Sequence, residues 1–513
     1  MANFHPLPRP LCAALAAALL AAPAAAQVPT ADTALTIYST TRPGGVPADQ
    51  YRPAPGGYPS LAGRDVPGYA VIRQQRRLEL DSGLNRIDFR DVAAYIDPTT
   101  VTFESLTAPD TTRVIEQNFR FDLVSADKLL DRYIDQIVTV DQVAGDRVTS
   151  ITGRLLSTAG ALVLQSDDGR IHAVRSYQNV HFHDLPGGLI TRPTLVWDVA
   201  AERAGTHDAR IGYQTAGLTW WADYNLVFRE GADANSGAAD VHAWVSVLNR
   251  SGASFDDARL KLIAGDVNRA EPAQPRVMRA LEAASVAQDA AGFDERSFFE
   301  FHLYTLGRTT TLPGDSTKQI ELFPKAADVP VRKKLVYYGL APHYGTFGGP
   351  ATDRDYGLPM NTKVDVYLEL DNRAEAGLGV PLPAGRLRVS QLDPADSTLE
   401  FIGEDVIDHT PKDETVRIRL GSAFDVVGER RQTAFRLERD AERMEESIEI
   451  RVRNHKTAPV EVLVREVLFR WTTSEILESS HDWERDDART VHFPVTVPAD
   501  GEVTVRYTVR YTW

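Results

Sequence analysis

Apolar and polar residues alternate along most of this chain, in short runs bounded by turn residues. Ile448, Ile450 and Val452 alternate with charged residues, and the stretch from Val503 to Trp513 repeats the same period of two. Successive side chains of a strand point to opposite faces, so this period is typical of half-buried β-strands. Because each apolar face needs another layer to cover it, the pattern predicts an all-β protein built from packed sheets.

Turn signals between these runs predict particular hairpins. The valines of the run from Val460 to Val464 follow Asn454-His455-Lys456-Thr457, which predicts that this run pairs with the strand before it. Asp168-Gly169 separates two other short strands and indicates a tight turn, since such turns need a positive φ.

A few segments depart from the β pattern. Ser125 to Tyr133 has apolar residues at helical spacing after a good N-cap residue, which predicts one short helix. Val28 to Gly68 is rich in Pro and Gly and predicts mostly loop. Residues 271–292 fit a linker or a partly helical insertion, and residues 436–446 fit either a charged helix or a solvated hairpin arm.

The spacing of the strands predicts four parts after a leader. Residues 27–125 form a Pro/Gly-rich segment and an N-terminal β region. The four or five short strands of residues 126–190 predict a small barrel of the SH3 kind. Longer strands in residues 191–330 and 331–513 predict two antiparallel, immunoglobulin-like β-sandwiches.

Residues 1–26 have the pattern of a secretory signal peptide. Arg9 precedes the apolar run from Leu11 to Ala22, and small residues follow up to Ala26. The apolar run is shorter than the roughly 20 residues that cross a bilayer, so we expect no transmembrane helix in the mature chain. Cys12 is the only cysteine and would be removed with the leader. We expect export to the periplasm or cell envelope of a bacterium.

Composition narrows the class of partner. The formal net charge of the 513-residue chain is −15, whereas nucleic acids and anionic membranes recruit clustered Lys and Arg. We therefore expect no nucleic-acid partner. The expected partner is another envelope protein or a glycan.

Several stretches resemble one family of exported proteins. In the first half of the matching region they are Gly217-Leu218-Thr219-Trp220, Asp223-Tyr224, Asn249-Arg250-Ser251-Gly252 and Leu262-Ile263-Ala264-Gly265-Asp266-Val267. In the second half they are Pro381-Leu382-Pro383-Ala384-Gly385-Arg386, Phe401-Ile402-Gly403-Glu404-Asp405, Phe424-Asp425-Val426-Val427-Gly428-Glu429-Arg430 and Val452-Arg453-Asn454-His455-Lys456. Over residues 190–513 the chain resembles proteins that carry domain of unknown function 4139, including the mucoidy-inhibitor-A type, without the coiled coil of the latter. The resemblance implies an exported β-rich protein and supplies no catalytic residues.

Motifs that carry a known reaction mechanism are missing from the sequence. It has no G-x-S-x-G elbow, phosphate-binding loop, H-E-x-x-H pair or dinucleotide fingerprint. We therefore assign no catalytic residue and no cofactor, and we favour a protein that is not an enzyme.

Two kinds of candidate site remain. His181 and His183 are two residues apart, so in a strand both imidazoles could reach one metal ion, or both could simply lie on the wet face. Trp220 and Trp221 point to opposite faces, so one of them, with Tyr224 nearby, is a candidate for ligand or interface contact if the pair is not wholly buried.

These observations favour a non-catalytic binding or scaffold protein of the envelope. The alternative is a hydrolase or binding protein for cell-wall or surface glycans. His481-Asp482 is a possible general-base pair for such a hydrolase, although its charged surroundings are also typical of a solvated loop.

Overall fold

Strands form almost all of the regular structure. The structure, a computed structural model, describes residues 32–38, 46, 65–90, 92–144, 147–265, 293–298, 301–340, 349–357, 361–393 and 395–513. The strands make four sheets, which confirms the prediction of an all-β, multi-domain protein. The predicted signal peptide, the segment 271–292 and most of Val28–Gly68 lie outside the described residues.

Two sheets come mainly from the first half of the chain. One has seven strands in the spatial order β16 (Phe293–Phe298), β17 (Phe301–Leu312), β15 (Phe255–Ala264), β1 (Thr33–Tyr38), β2 (Tyr69–Leu80), β12 (Gly205–Thr215) and β4 (Ile96–Ser105). The other has three strands in the order β3 (Gly83–Phe89), β11 (Thr194–Ala201) and β5 (Thr112–Arg120).

The largest sheet extends through the second half. Its main path is β21 (Leu399–Ile407), β20 (Gly385–Leu392), β13 (Leu218–Glu230), β14 (Ser236–Asn249), β18 (Ser316–Tyr338), β19 (Lys363–Asp371), β22 (Thr415–Glu438), β23 (Arg443–Asn454), β28 (Gly501–Thr512) and β25 (Ser474–Ser479). A branch from β18 adds β24 (Val460–Val467), β27 (Thr490–Val497) and β26 (Glu484–Arg485).

A small module is inserted between β5 and β11. It consists of α1 (Ala126–Arg132) and a five-stranded antiparallel sheet in the order β10 (Asn179–His181), β6 (Ile137–Ala144), β7 (Arg147–Ser157), β8 (Leu162–Gln165) and β9 (Ile171–Val174). Its core is separate and includes Tyr133, Val140 and Leu155. Closure of this sheet into an SH3-like barrel stays a prediction.

Local signals in the module are confirmed. Ser125 caps the predicted helix, because its hydroxyl accepts a hydrogen bond from the Lys128 amide at 3.3 Å. Gly169 lies in the turn between β8 and β9 with φ of 83°, a conformation that costs glycine little.

Two further apolar cores divide the remaining strands. The larger core extends from Leu35 to Ile418, so the N-terminal β region packs together with β13 to β20. The second core lies between β22, β23 and β28 on one side and β24 and β27 on the other. Strand β18 contributes to both cores and passes through residue 330, where the sequence predicts a domain division. That division and the immunoglobulin-like topology stay predictions.

The predicted hairpin between β23 and β24 is wrong. β23 pairs with β22 and β28, whereas β24 pairs with β27 and, in parallel, with β18. Ile450 and Val462 nevertheless enter the same core. Alternation predicted the buried faces correctly but does not determine which strand is the hydrogen-bonded neighbour.

Residues 436–446 form the hairpin arm that was one of the two predicted alternatives. β22 continues to Glu438, a single 3-10 turn covers Arg439–Ala441, and β23 begins at Arg443. Glu442 takes a left-handed conformation with φ of 47° and reverses the chain.

One pattern of strand pairing occurs three times after residue 236. The antiparallel pairs that begin and end each unit are β14 with β18, β19 with β22, and β23 with β28. The intervening antiparallel pairs are β15 with β17, β20 with β21, and β24 with β27. In each unit the second strand also adds in parallel to an earlier strand, namely β1, β13 or β18. The region is therefore an internal structural repeat.

Candidate interaction surface

The tandem tryptophans of β13 point to opposite faces. Trp220 is almost fully buried in the larger core, with its ring centroid 6.2 Å from that of Tyr304. Tyr224 is buried on the same side, and its hydroxyl donates to the Pro383 carbonyl at 2.7 Å. Burial raises the pKa of Tyr224 well above its usual value. Trp220 and Tyr224 are therefore packing residues, and only Trp221 reaches the outer face.

Trp221 is partly covered and anchored to a carboxylate. Its ring packs against a small cluster of Val46, Val66 and Leu248. The indole N–H donates to Asp223 Oδ2 at 2.7 Å, and the Ser246 hydroxyl donates to the same oxygen at 2.7 Å. These bonds hold the indole in one orientation and satisfy a carboxylate that is itself nearly buried.

Two ion pairs connect Asp223 to β21 at the edge of the sheet. Arg388 of β20 donates from Nη1 to Asp223 Oδ1 at 3.3 Å. Its Nε lies 3.5 Å from Glu404 Oε2 on β21. The three side chains lie on three adjacent strands, so they extend the outer face from Trp221 to β21.

Apolar side chains occupy the rest of this outer face. On β20 and β21 the exposed fractions of Leu392, Leu399, Phe401 and Val406 lie between 42% and 61%. Leu392 pairs with Leu399, and Phe401 and Val406 pair with Ser390 and Arg386, so all four side chains lie on one face. We call this surface the β20–β21 face.

The β20–β21 face lies at the end of the largest sheet. Among the described strands, β21 pairs only with β20. Its middle approaches β22, where the Arg419 amide donates to Asp405 Oδ2 at 2.7 Å. Phe424 of β22 is 95% exposed. Contiguous exposed apolar residues at a sheet edge are typical of an interaction site.

Sequence patterns alone did not reveal that the apolar residues of this face are exposed. Leu399 and Phe401 follow the turn residues Asp393 to Thr398 directly, as in an ordinary half-buried strand. Alternation indicates a face but does not say whether another layer covers it. The available signal was that both sides of one hairpin carry leucine at the paired positions Leu392 and Leu399.

The structure places only one histidine of the predicted pair, His181, in a hydrogen-bonded cluster. His181 ends β10, and its Nε2 lies 2.8 Å from Asp141 Oδ2. Asp141 also accepts from Ser150 at 2.7 Å, and the hydrogen bonds from His181 and Ser150 lower the pKa of Asp141. His183 lies beyond the strand, after Phe182, whose ring packs 4.9 Å from that of Tyr133.

The described part of the chain contains no group of three His, Cys, Asp or Glu side chains that could hold a metal ion. His481, the other histidine candidate, contacts the hydroxyl of Ser480 through Nδ1 at 2.9 Å. Within the described residues, no helix has the length and apolar character needed to cross a membrane.

Fold and surface together define an all-β, multi-domain protein with an exposed apolar face at one sheet edge. No protein-family model matches the chain, and no curated protein matches it in sequence. The resemblance to the domain of unknown function 4139 therefore stays a prediction.

Proposed function

We propose that this chain is an exported, non-catalytic binding or scaffold protein of the bacterial cell envelope, and that it holds another envelope protein through the β20–β21 face. One observation carries the proposal: Leu392, Leu399 and Phe401 are exposed side by side at the end of the largest sheet, with Val406 further along the same face. Export is proposed from the pattern of residues 1–26.

The chemistry of the face favours a protein partner over a glycan. Protein interfaces place aromatic and aliphatic anchors at their centre and polar groups at their rim. Phe401 and Leu399 supply such anchors, and the ion pair of Arg388 and Glu404 supplies charged groups beside them on the same face. A protein surface with an apolar patch is the complement that removes these side chains from water.

Site-specific crosslinking from the β20–β21 face tests this proposal. We would place a photo-crosslinking residue at Ser390, which pairs with Phe401, and recover complexes from intact envelopes. We expect one stoichiometric protein partner. We expect the Leu399→Ser and Phe401→Ser double variant to reduce its capture at least tenfold, because each substitution removes an apolar anchor.

A matched control uses apolar residues that are equally exposed elsewhere. Leu84 and Ile115 are 67% and 59% exposed on β3 and β5. The Leu84→Ser and Ile115→Ser double variant should leave capture unchanged. Equal capture by both double variants, or recovery of glycan without protein, would count against the proposal and favour the glycan-directed alternative.

A further inference from the structure

A polar trough lies on the outer face of the largest sheet, where β22, β23, β28 and β25 are neighbours, at the opposite end of the sheet path from the β20–β21 face. It has a volume of about 370 Å³, which is within the range of small-ligand sites. Five hydroxyl side chains line it: Thr433, Ser447, Ser479, Ser480 and Thr508. Glu478 and Arg506 are the charged residues of the lining.

The trough results from a row of short side chains, paired across neighbouring strands, that lies between two rows of long side chains. Ser447 pairs with Thr508 across β23 and β28, and Thr508 pairs with Glu478 of β25. On one side of this row Arg510 donates to Glu445 at 2.9 Å, and on the other Arg506 donates to Glu449 at 2.9 Å. Short hydroxyl residues between two rows of long ion pairs leave a channel that crosses the strands.

Two β-bulges shape the ends of the trough. β22 has a register shift between Gln432 and Ala434, and β25 has one between Ile476 and Glu478. Bulges change the direction of local side chains and are frequent beside functional sites. The channel spans four strands, or roughly 14 Å at the usual spacing between strands.

Hydrogen-bonding groups in the trough remain available to a ligand. Ser447 and Thr508 share one hydrogen bond of 2.9 Å between their hydroxyls, so one of the two protons is free to be donated. Arg506 uses Nε for Glu449, and its two terminal amino groups make no hydrogen bond within the described chain. The exposed carboxylate of Glu478 is an acceptor.

We propose that this trough binds a neutral oligosaccharide. A saccharide presents a row of hydroxyl groups that both donate and accept. These groups match the free hydroxyl proton of the Ser447–Thr508 pair, the guanidinium of Arg506 and the carboxylate of Glu478. The hydroxyls of Thr433, Ser479 and Ser480 already bond to the chain and can serve as acceptors. The charges of Arg506 and Glu478 cancel, so the lining gives an acidic glycan no net attraction, and the chain as a whole is acidic.

A protein ligand fits the trough less well than a saccharide does. The apolar residues of the lining, Ile448 and Tyr507, are buried in the core beneath it. A protein partner would find no exposed aliphatic or aromatic anchor among the lining residues. The trough therefore goes beyond the proposed scaffold function and concerns a different surface.

Ligand-observed NMR with the full-length protein tests this inference. We would titrate cellotriose, chitotriose and maltotriose as neutral probes and a galacturonate trimer as the acidic probe. We expect one neutral trisaccharide to bind with a Kd on the order of 1 mM. We expect Thr508→Val to weaken this binding at least fivefold, because it removes one hydroxyl with little change in shape.

The small module offers a matched control for that substitution. Thr139 and Thr152 share a hydroxyl–hydroxyl bond of 2.9 Å on another sheet, the same distance as in the trough. Thr152→Val should leave saccharide binding unchanged. Failure of every neutral probe to bind at 10 mM, a preference for the galacturonate trimer, or equal effects of the two variants would overturn the inference. None of these results depends on the β20–β21 face.

Discussion

Asn249 and Asn454 hold two chain turns with the same set of hydrogen bonds. The Asn249 amide donates to the carbonyls of Ala253 and Pro313 at 2.8 and 3.0 Å. The Asn454 amide donates to those of Ala458 and Pro498 at 2.9 and 3.0 Å. Asn372 makes the equivalent bond to Pro411 at 2.9 Å. Each proline is followed two residues later by an aspartate with a positive φ, so the three turns are copies of one structure.

Replacing either Asn249 or Asn454 should therefore destabilise the protein by a similar amount. Asn249→Ala and Asn454→Ala each remove the amide donor from one buried carbonyl, that of Leu312 or Val497, and from two partly buried ones. We expect each substitution to cost about 2–3 kcal/mol of unfolding free energy. Urea denaturation measures this cost. Asn179→Ala is the control, because within the described residues its only side-chain bond is a long one of 3.5 Å to Asp141. A cost below about 1 kcal/mol at either buried position would contradict the equivalence.

Arg470 is a buried residue that holds a loop segment through hydrogen bonds. It is fully buried and forms an ion pair of 3.0 Å with buried Glu446. Its terminal amino groups also donate to the carbonyls of four residues in the segment 349–357: Ala351, Asp353, Arg354 and Tyr356. The guanidinium thus satisfies a carboxylate and a loop backbone together.

Arg470→Met should be among the most destabilising single changes in the chain. It leaves Glu446 buried without its cationic partner, which we expect to cost about 3–5 kcal/mol. Adding Glu446→Gln to the same chain should recover part of this loss, because the uncompensated charge is removed. Arg443→Met, which breaks a partly exposed pair with Glu438, should cost under about 1 kcal/mol, because Glu438 also keeps its pair with Arg436. Equal costs for Arg470→Met and Arg443→Met would refute the argument.

The ion pair between Arg332 and Asp371 should stabilise the protein only above acidic pH. Two hydrogen bonds of 3.0 Å from Arg332, and one from Thr415, lower the pKa of Asp371 from 3.8 to about 2. A carboxyl whose pKa is lowered on folding contributes stability above its unfolded pKa and loses it as the pH falls towards its folded pKa.

We therefore expect Arg332→Gln to cost about 1 kcal/mol at pH 7, allowing for screening at a partly exposed site. The difference between variant and native protein should shrink between pH 4 and pH 2. Thermal unfolding over this range measures it. A difference that is independent of pH would show that Arg332 stabilises the protein through packing alone.

Gly428 leaves room for a tyrosine ring in the second core. A Cβ at this position would collide with the ring of Tyr337, which is fully buried. We expect Gly428→Ala to destabilise the protein by about 2 kcal/mol through overpacking. Gly187→Ala, where a Cβ meets open space, should be nearly neutral. Calorimetric unfolding distinguishes the two, and a neutral Gly428→Ala would contradict this packing.

Local patterns predicted the elements of this fold better than their arrangement. The alternation from Ile448 to Val452 and the cap at Ser125 depend on neighbouring residues, so the sequence shows them directly. The hydrogen-bonded neighbours of β24 depend instead on how the chain crosses from one side of the second core to the other. Nothing in the run from Val460 to Val464 distinguishes a hairpin neighbour from a strand in the opposite layer.

The candidate sites show the same division. Opposite orientations of Trp220 and Trp221 follow from strand geometry, but the burial of Tyr224 depends on β20, more than 150 residues later. The trough depends on the register of four strands, since Ser447, Thr508 and Glu478 meet only through that register. The sequence did contain one sign of the internal repeat, because Pro-x-Asp recurs after Leu312, Thr410 and Val497.

Strand β22 belongs to both apolar cores: Ile418 lies in the larger one, and Val426, eight residues further on, lies in the second. Its backbone is hydrogen-bonded first to β19 and then to β23, with no linker between them. Tension applied to one core is therefore carried to the other along continuous extended backbone, in β22 as in β18. In mechanical terms each shared strand is a tie that resists separation of the two cores.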